Sequence, residues 1–162
     1  MPIPQEWNLS GKSIVLTTGS RGWAPILAAG LAEAGADLAL IGHREEILDA
    51  SVESAKKYGN RVTTIDADLK RPASVKQAMR KAAQALGRVD ALVNDSQVEF
   101  AKPLMEITPT EYDSVMDRNV KSVFFCCQAA GKYMLEQGKG HIVNLCSTMA
   151  ERGVSNETVY CA

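Results

Sequence analysis

Five short runs of aliphatic and β-branched residues, nearly free of charge, alternate along this chain with longer segments of helical period, and that alternation limits the fold more than any other feature. The runs cover residues 13–17, 38–42, 61–66, 89–93 and 141–146. Strands so continuously apolar fit a parallel sheet covered on both faces. Helical segments begin near Pro25, Glu45, Pro72 and Pro109, the last with Thr108 as N-cap and Glu111 in its first turn. Strand and helix in regular succession imply right-handed crossovers and an open, doubly wound α/β sheet of about five strands. Ligands of such sheets bind beyond the carboxyl ends of the strands, where the strand order reverses.

No linker, repeat or low-complexity stretch divides the 162 residues, and 46% apolar residues are enough for one real core, so residues 1–162 read as a single domain. A net charge of −1 argues against a nucleic-acid partner. No apolar run approaches the roughly 20 residues of a membrane helix, and the first residues lack a signal-peptide pattern, so a cytoplasmic protein without membrane partners is expected. Cys126, Cys127, Cys146 and Cys161 form no C-x-x-C pair and are expected to be reduced and mostly buried. With His43 and His141 far apart, no metal site is expected.

Two helices carry more detail. Val75, Ala78, Met79, Ala82 and Leu86 line one face of the third, leaving Lys76, Arg80 and Lys81 to solvent. In the fourth, Tyr112, Val115, Met116, Val120, Val123, Phe124 and Cys127 form an apolar stripe with Asn119 in its middle. A buried amide without partners costs about 1–3 kcal/mol. Asn119 therefore either caps a broken helix turn or aims its amide into a cleft.

The first strand runs into "TTGSRGWAP", a small-residue turn before a proline-primed helix. A helix N-terminus offers unpaired N–H groups and partial positive charge, and glycine lets pyrophosphate oxygens approach the backbone. Only Gly19 and Gly22 stand in the loop. Its wider context is more specific. Gly11, Lys12, the run to Thr17, "GSRG" and "LAEAGADLAL" closely resemble the opening of short-chain dehydrogenase/reductases, whose fingerprint is T-G-x-x-x-G-I-G. Here it falls on residues 17–24: Gly22 matches the middle glycine, while Thr18 replaces the first, Ala24 the third, and Trp23 the isoleucine that faces the nicotinamide.

The resemblance continues through almost the entire chain. It implies a Rossmann-type sheet, incomplete at its C-terminus, with Thr18, Gly19, Ser20, Arg21, Gly22 and Trp23 at the cofactor. Asp68 and Leu69 resemble the adenine-contacting pair after the third strand. "LVNDSQ" takes the place of the family's N-N-A-G loop and keeps only Asn94. Asn119 in "DRNVKSVFF" matches the helix asparagine that holds a water for proton relay. Ser147 and Tyr160, 13 residues apart, match the serine that hydrogen-bonds the substrate oxygen and the tyrosine that transfers the proton.

Cofactor choice has a physical reading. NAD-binding units place Asp or Glu at the end of the second strand, whereas a 2′-phosphate needs cations. Here Gly42 holds that place, His43 and Arg44 follow, and Arg21 stands beside the loop, so NADP(H) is expected over NAD(H). Alternatively, Arg44 only decorates the surface of the next helix. The implied activity interconverts a carbonyl and a secondary alcohol on a small molecule. A non-catalytic nucleotide sensor or scaffold on the same fold is the alternative, favoured by Thr18, Ala24, Asp95, Ser96 and Gln97.

Five further expectations follow. The family's catalytic lysine falls four residues after Tyr160, beyond Ala162, so these residues are expected to be an N-terminal part with little turnover of their own. "HIVNLCS" then forms an exposed sheet edge. Thr18 is expected to strain its backbone, so that Thr18→Gly tightens binding, and Met149, Val154 and Asn156 to touch substrate. The helix carrying Phe124 and Phe125 resembles the family's subunit-packing helix, implying a homodimer or homotetramer.

Overall fold

The computed structural model describes residues 4–19, 23–95 and 97–162. Strands β1 (Ser13–Thr18), β2 (Asp37–Gly42), β3 (Val62–Asp66), β4 (Ala91–Asp95) and β5 (His141–Asn144) form one parallel sheet in the order β3-β2-β1-β4-β5. Helices α1 (Trp23–Glu33), α2 (Glu45–Lys56) and α3 (Pro72–Leu86) connect the first four strands. Between β4 and β5, α4 (Pro109–Met116) runs through a π-helical turn (Asp117–Lys121) into α5 (Ser122–Glu136). A short α6 (Thr158–Cys161) follows. This is the Rossmann-type arrangement implied by the alternation of strands and helices.

Differences at element ends have local causes. Before β4, the Val89 N–H and C=O pair with the Gln137 amide at 3.0 and 2.8 Å, while Asp90 still bonds through its backbone to Ser13 and His141 and accepts the Ser13 N–H on its carboxylate at 3.0 Å. α1 starts at Trp23, which puts Pro25 third, still in the first turn where its missing N–H costs nothing. α3 ends at Gly87, whose φ of 82° closes the helix in the left-handed region.

The period-2 pleat divides the core between the two faces. Val15, Ala39, Ile41 and Leu92 pack with Val75, Met79, Ala82 and Leu86 of α3 and with Cys126 and Ala130 of α5. Ile14, Leu16, Leu38, Leu40 and Val93 pack with Ala28 and Ala32 of α1 and with Leu48 and Ala55 of α2. The expected apolar face of α3 is buried at all five positions.

Coverage of both faces holds for β1, β2 and β4 but not for the outer strands. β3 is half-exposed, and β5 is exposed along its length, with Val143 51% accessible. Each of these strands has one neighbouring strand, and 141–144 is the open edge foreseen from the sequence. The cysteine expectation also needs correction: among the four, Cys126 is buried, Cys127 and Cys161 are half-buried and Cys146 is exposed, because Cys146 follows that open edge. Burial pushes the Cys126 thiol up to about 12.

The apolar stripe of the fourth helical segment is redistributed. Val115 is buried, but Tyr112, Val120 and Phe124 are exposed, and Ser122, Cys126, Ala130 and Met134 face the core instead. The small Ser122, Cys126 and Ala130 let α5 lie close to the sheet, Met134 packs into the core near the end of the helix, and Phe124 faces outward. No described helix is long and apolar enough to cross a membrane.

Thr108 caps α4 as expected. Its hydroxyl accepts the Glu111 N–H at 3.3 Å and the Glu111 carboxylate accepts the Thr108 N–H at 2.9 Å, a reciprocal capping box. Lys102 Nζ also donates to both Glu111 oxygens at 2.8 and 2.9 Å, and this ammonium, with the Thr108 donors, holds the Glu111 carboxyl down to about 2. A folded-state value below the ordinary 4.5 means stabilisation present above pH 4.5 and lost as pH falls toward 2. Thermal unfolding of wild type and Glu111→Gln across pH should therefore show a gap that shrinks below pH 4.5; a gap independent of pH contradicts the assignment.

Candidate active site

The strand order reverses between β1 and β4, and the carboxyl ends of those two strands carry the loop residues that the sequence singles out. Thr18 ends β1 opposite Asp95 of β4, and the Gly19 N–H donates to the Asp95 carbonyl at 2.6 Å. Thr17 Oγ1 donates to Asn94 Oδ1 at 3.3 Å and accepts the Asp95 N–H at 3.1 Å. Asn94 Nδ2 in turn donates to Asn144 Oδ1 at 2.8 Å, so one buried amide ties together β1, β4 and β5. Ser20, Arg21, Gly22 and Ser96 lie outside the described residues.

The expected strain at Thr18 is not found. Among the described non-glycine residues only Asn156 has positive φ, and Thr18 is extended strand, buried, with its hydroxyl donating to the Ile41 carbonyl at 3.3 Å. Relief of φ strain is therefore no reason for Thr18→Gly to bind cofactor more tightly.

Beyond these strand ends lies a groove of about 620 Å³ lined by Thr18, Gly19, His43, Arg44, Asp68, Leu69, Lys70 and Arg118 among others. It gathers the expected residues from the ends of β1, β2 and β3. His43 Nδ1 lies 2.8 Å from Asp66 Oδ1, and the Asp68 carboxylate accepts the Lys70 N–H at 3.1 Å. Three cations, Arg44, Lys70 and Arg118, line one groove, which fits an anionic ligand. Trp23, at the start of α1, is 58% exposed.

A second cavity, of about 170 Å³, is lined by Asn94, Gln97, Asn119, Ser147 and Tyr160 together with Val123, Leu145 and Val159. Its polar groups come from four separate places in the chain. Tyr160 Oη donates to Gln97 Oε1 at 3.2 Å. Ser147 caps a 3₁₀ turn (Thr148–Ala150), its hydroxyl accepting the Met149 N–H at 3.2 Å. Asn119 sits in the π turn, where its Oδ1 accepts the Val98 N–H at 2.8 Å and its Nδ2 donates to the Val98 carbonyl at 2.9 Å. The amide thus clamps the loop after β4, and a π turn is a frequent marker of functional sites.

Met149, Val154 and Asn156 do not line this cavity; Ala150, Val159 and Cys161 do. Asn156 instead turns at φ 64° and accepts the Lys102 N–H at 2.6 Å, fastening the segment to the loop before α4. Sequence reasoning also passed over Lys70 and Arg118 as groove residues. Their signal was proximity, since Lys70 is two residues beyond Asp68 and Arg118 precedes Asn119. A larger space of about 830 Å³ between α3 and α5 shares no lining residue with either cavity. No group of three or more His, Cys, Asp or Glu among the described residues could hold a metal ion.

Comparison with known proteins agrees with this fold. Residues 12–162 match the family model described as short chain dehydrogenase. Gluconate 5-dehydrogenase of Gluconobacter oxydans is 33% identical over 151 residues, covering 93% of this chain and 59% of that protein. A 2-dehydro-3-deoxy-D-gluconate 5-dehydrogenase of Escherichia coli is 32% identical over 93% of this chain and 59% of its own length. A solved short-chain dehydrogenase/reductase from Serratia marcescens superposes with a TM-score of 0.83 at 32% identity, covering 94% of this chain and 62% of that one. The chain thus spans about three-fifths of the length of these relatives. With the family model matched from residue 12 to residue 162 and a Rossmann-type sheet to match, the chain belongs to the short-chain dehydrogenase family of oxidoreductases.

Proposed function

We propose that the protein is an NADP(H)-dependent oxidoreductase that interconverts a carbonyl and a secondary alcohol, with residues 1–162 as its dinucleotide-binding domain. The observation that carries this reading is the meeting of Asn119, Ser147 and Tyr160 on one cavity. A nicotinamide cofactor, when bound, supplies or accepts the hydride. Ser147 hydrogen-bonds the substrate oxygen, and Tyr160 gives or takes the proton at that oxygen. Asn119 holds the loop that forms the cavity wall. Asn94 fixes the strand ends beneath the cofactor, and Thr18, Gly19, Ser20, Arg21, Gly22 and Trp23 form its phosphate loop.

NADP(H) over NAD(H) is supported by charge. A 2′-phosphate carries two negative charges near neutrality, and the groove lines its wall with Arg44, Lys70 and Arg118, next to His43. Asp68 and Leu69 lie on the same wall, at the proposed adenine end. The relatives named above are dehydrogenases by name, which favours catalysis over a purely sensing role. Free cysteines support a cytoplasmic setting. The outward-facing Val120 of the π turn and Phe124 of α5 support assembly through this helical segment into a homodimer or homotetramer.

The test is NADPH and NADH oxidation by the protein with a panel of ketones, together with the reverse reaction on gluconate and other secondary alcohols. Turnover with NADPH is expected of the whole protein, of which residues 1–162 are the dinucleotide-binding part, and none with any substrate contradicts the proposal. Arg44→Ala should weaken NADPH binding about tenfold while leaving NADH nearly unchanged, because the lost charge-assisted hydrogen bonds serve the 2′-phosphate alone. Isothermal titration reads both constants; equal losses for both cofactors would remove Arg44 from the phosphate site.

A further inference from the structure

Gly42 is the last residue of β2, at the position where a carboxylate would meet the ribose of NAD(H). A Cβ built there would lie 2.2 Å from Thr18 Oγ1, 2.9 Å from the Thr18 carbonyl oxygen and 3.5 Å from Thr18 Cβ. The first of these contacts cannot be met without displacing the threonine side chain. That side chain is not free to leave, because it is 3% exposed and its hydroxyl is bonded to the Ile41 carbonyl, one residue before Gly42. The register places β1 and β2 side by side up to Thr17 and Ile41, so Thr18 lies against the end of β2.

We infer that Thr18 and Gly42 form a steric lock: the threonine in the phosphate loop occupies the space that a side chain at the end of β2 would need, and so excludes a ribose-binding carboxylate there. Thr18 is then a specificity-determining residue that acts through position 42. The lock rests on the dinucleotide reading for its consequence, but the steric coupling is independent of any ligand. A glycine at position 18 removes both side-chain contacts. The carbonyl contact of 2.9 Å remains whatever stands at position 18, so a Cβ at position 42 also requires the two strand ends to shift apart.

Two cycles test this. In the first, Gly42→Ala alone lowers Tm by on the order of 5 °C, and adding Thr18→Ala restores the part of that loss caused by the 2.2 Å hydroxyl contact, while the part due to the carbonyl of residue 18 stays. Additive losses in the two single variants and the double variant overturn the lock, whatever the chain binds. In the second, Thr18→Gly with Gly42→Asp binds NADH about tenfold more tightly than wild type, and Gly42→Asp alone does not. Equal NADH binding by Gly42→Asp with and without Thr18→Gly overturns the specificity role. A wild-type chain that binds neither NADPH nor NADH overturns the dinucleotide reading instead, and the alanine cycle still decides the lock.

Discussion

Replacing Tyr160 with phenylalanine should lower kcat of the protein by about 10²–10⁴-fold, the span that a positioned acid or base contributes. The change removes one oxygen and keeps the ring, so packing of α6 beside the buried Val159 is preserved. The hydroxyl now donates to Gln97 Oε1, so the variant also leaves that acceptor to water at a half-buried site. A loss of proton transfer shows in kcat, with the affinity for NADPH measured by titration within about twofold of wild type. A variant that turns over within a factor of about three of wild type would exclude Tyr160 as proton donor. Ser147→Ala serves as a companion measurement, because a group that orients the substrate oxygen changes kcat without touching the cofactor groove.

The largest effect on stability is expected at Leu92. It is the fully buried second residue of β4, paired with Val15 of β1 and Ile142 of β5, and belongs to the core shared by α3 and α5. Leu92→Ala should cost about 2–5 kcal/mol, the transfer term plus the cavity left between strands that cannot collapse onto it. Against a total of about 5–15 kcal/mol for an ordinary domain, that is a large fraction. Urea denaturation reads it as a lower midpoint at unchanged slope. A loss under about 1 kcal/mol would mean that α3 or α5 moves inward to close the gap.

Much of this fold is legible in one sequence because parallel strands and their covering helices carry opposite periodicities. The face of α3 was readable for that reason: Val75, Ala78, Met79, Ala82 and Leu86 fall at helical spacing and are all buried. The face of α5 was not, because a helix with apolar residues on more than one side has no single hydrophobic direction. Ser122 and Ala130 face the core while Phe124 does not, a choice made by how closely the helix can approach the sheet. The break at the π turn carries no composition signal either, since "DRNVK" has no proline or glycine.

At the site, residue identities were easier to read than residue relations. Asn119, Ser147 and Tyr160 stand out by motif and spacing, and they line one cavity. Thr18 looked like a misfit in a glycine loop. What relieves it is Gly42, 24 residues away in sequence and on a neighbouring strand, a relation that no local pattern could express. Lys70 and Arg118 were missed for a similar reason, because charged residues on turns look alike until the fold brings them to the same wall.

The paired bonds between the Asn119 amide and the Val98 backbone have a consequence in time. A side-chain amide that both accepts an N–H and donates to the C=O of one residue stands in for a strand partner, so Val98 is held as if in a sheet although it belongs to no strand. Opening the loop after β4 at Val98 therefore costs both bonds to the π turn. Movement of the cavity wall at Val98 is thereby tied to movement of the helical segment that carries Asn119.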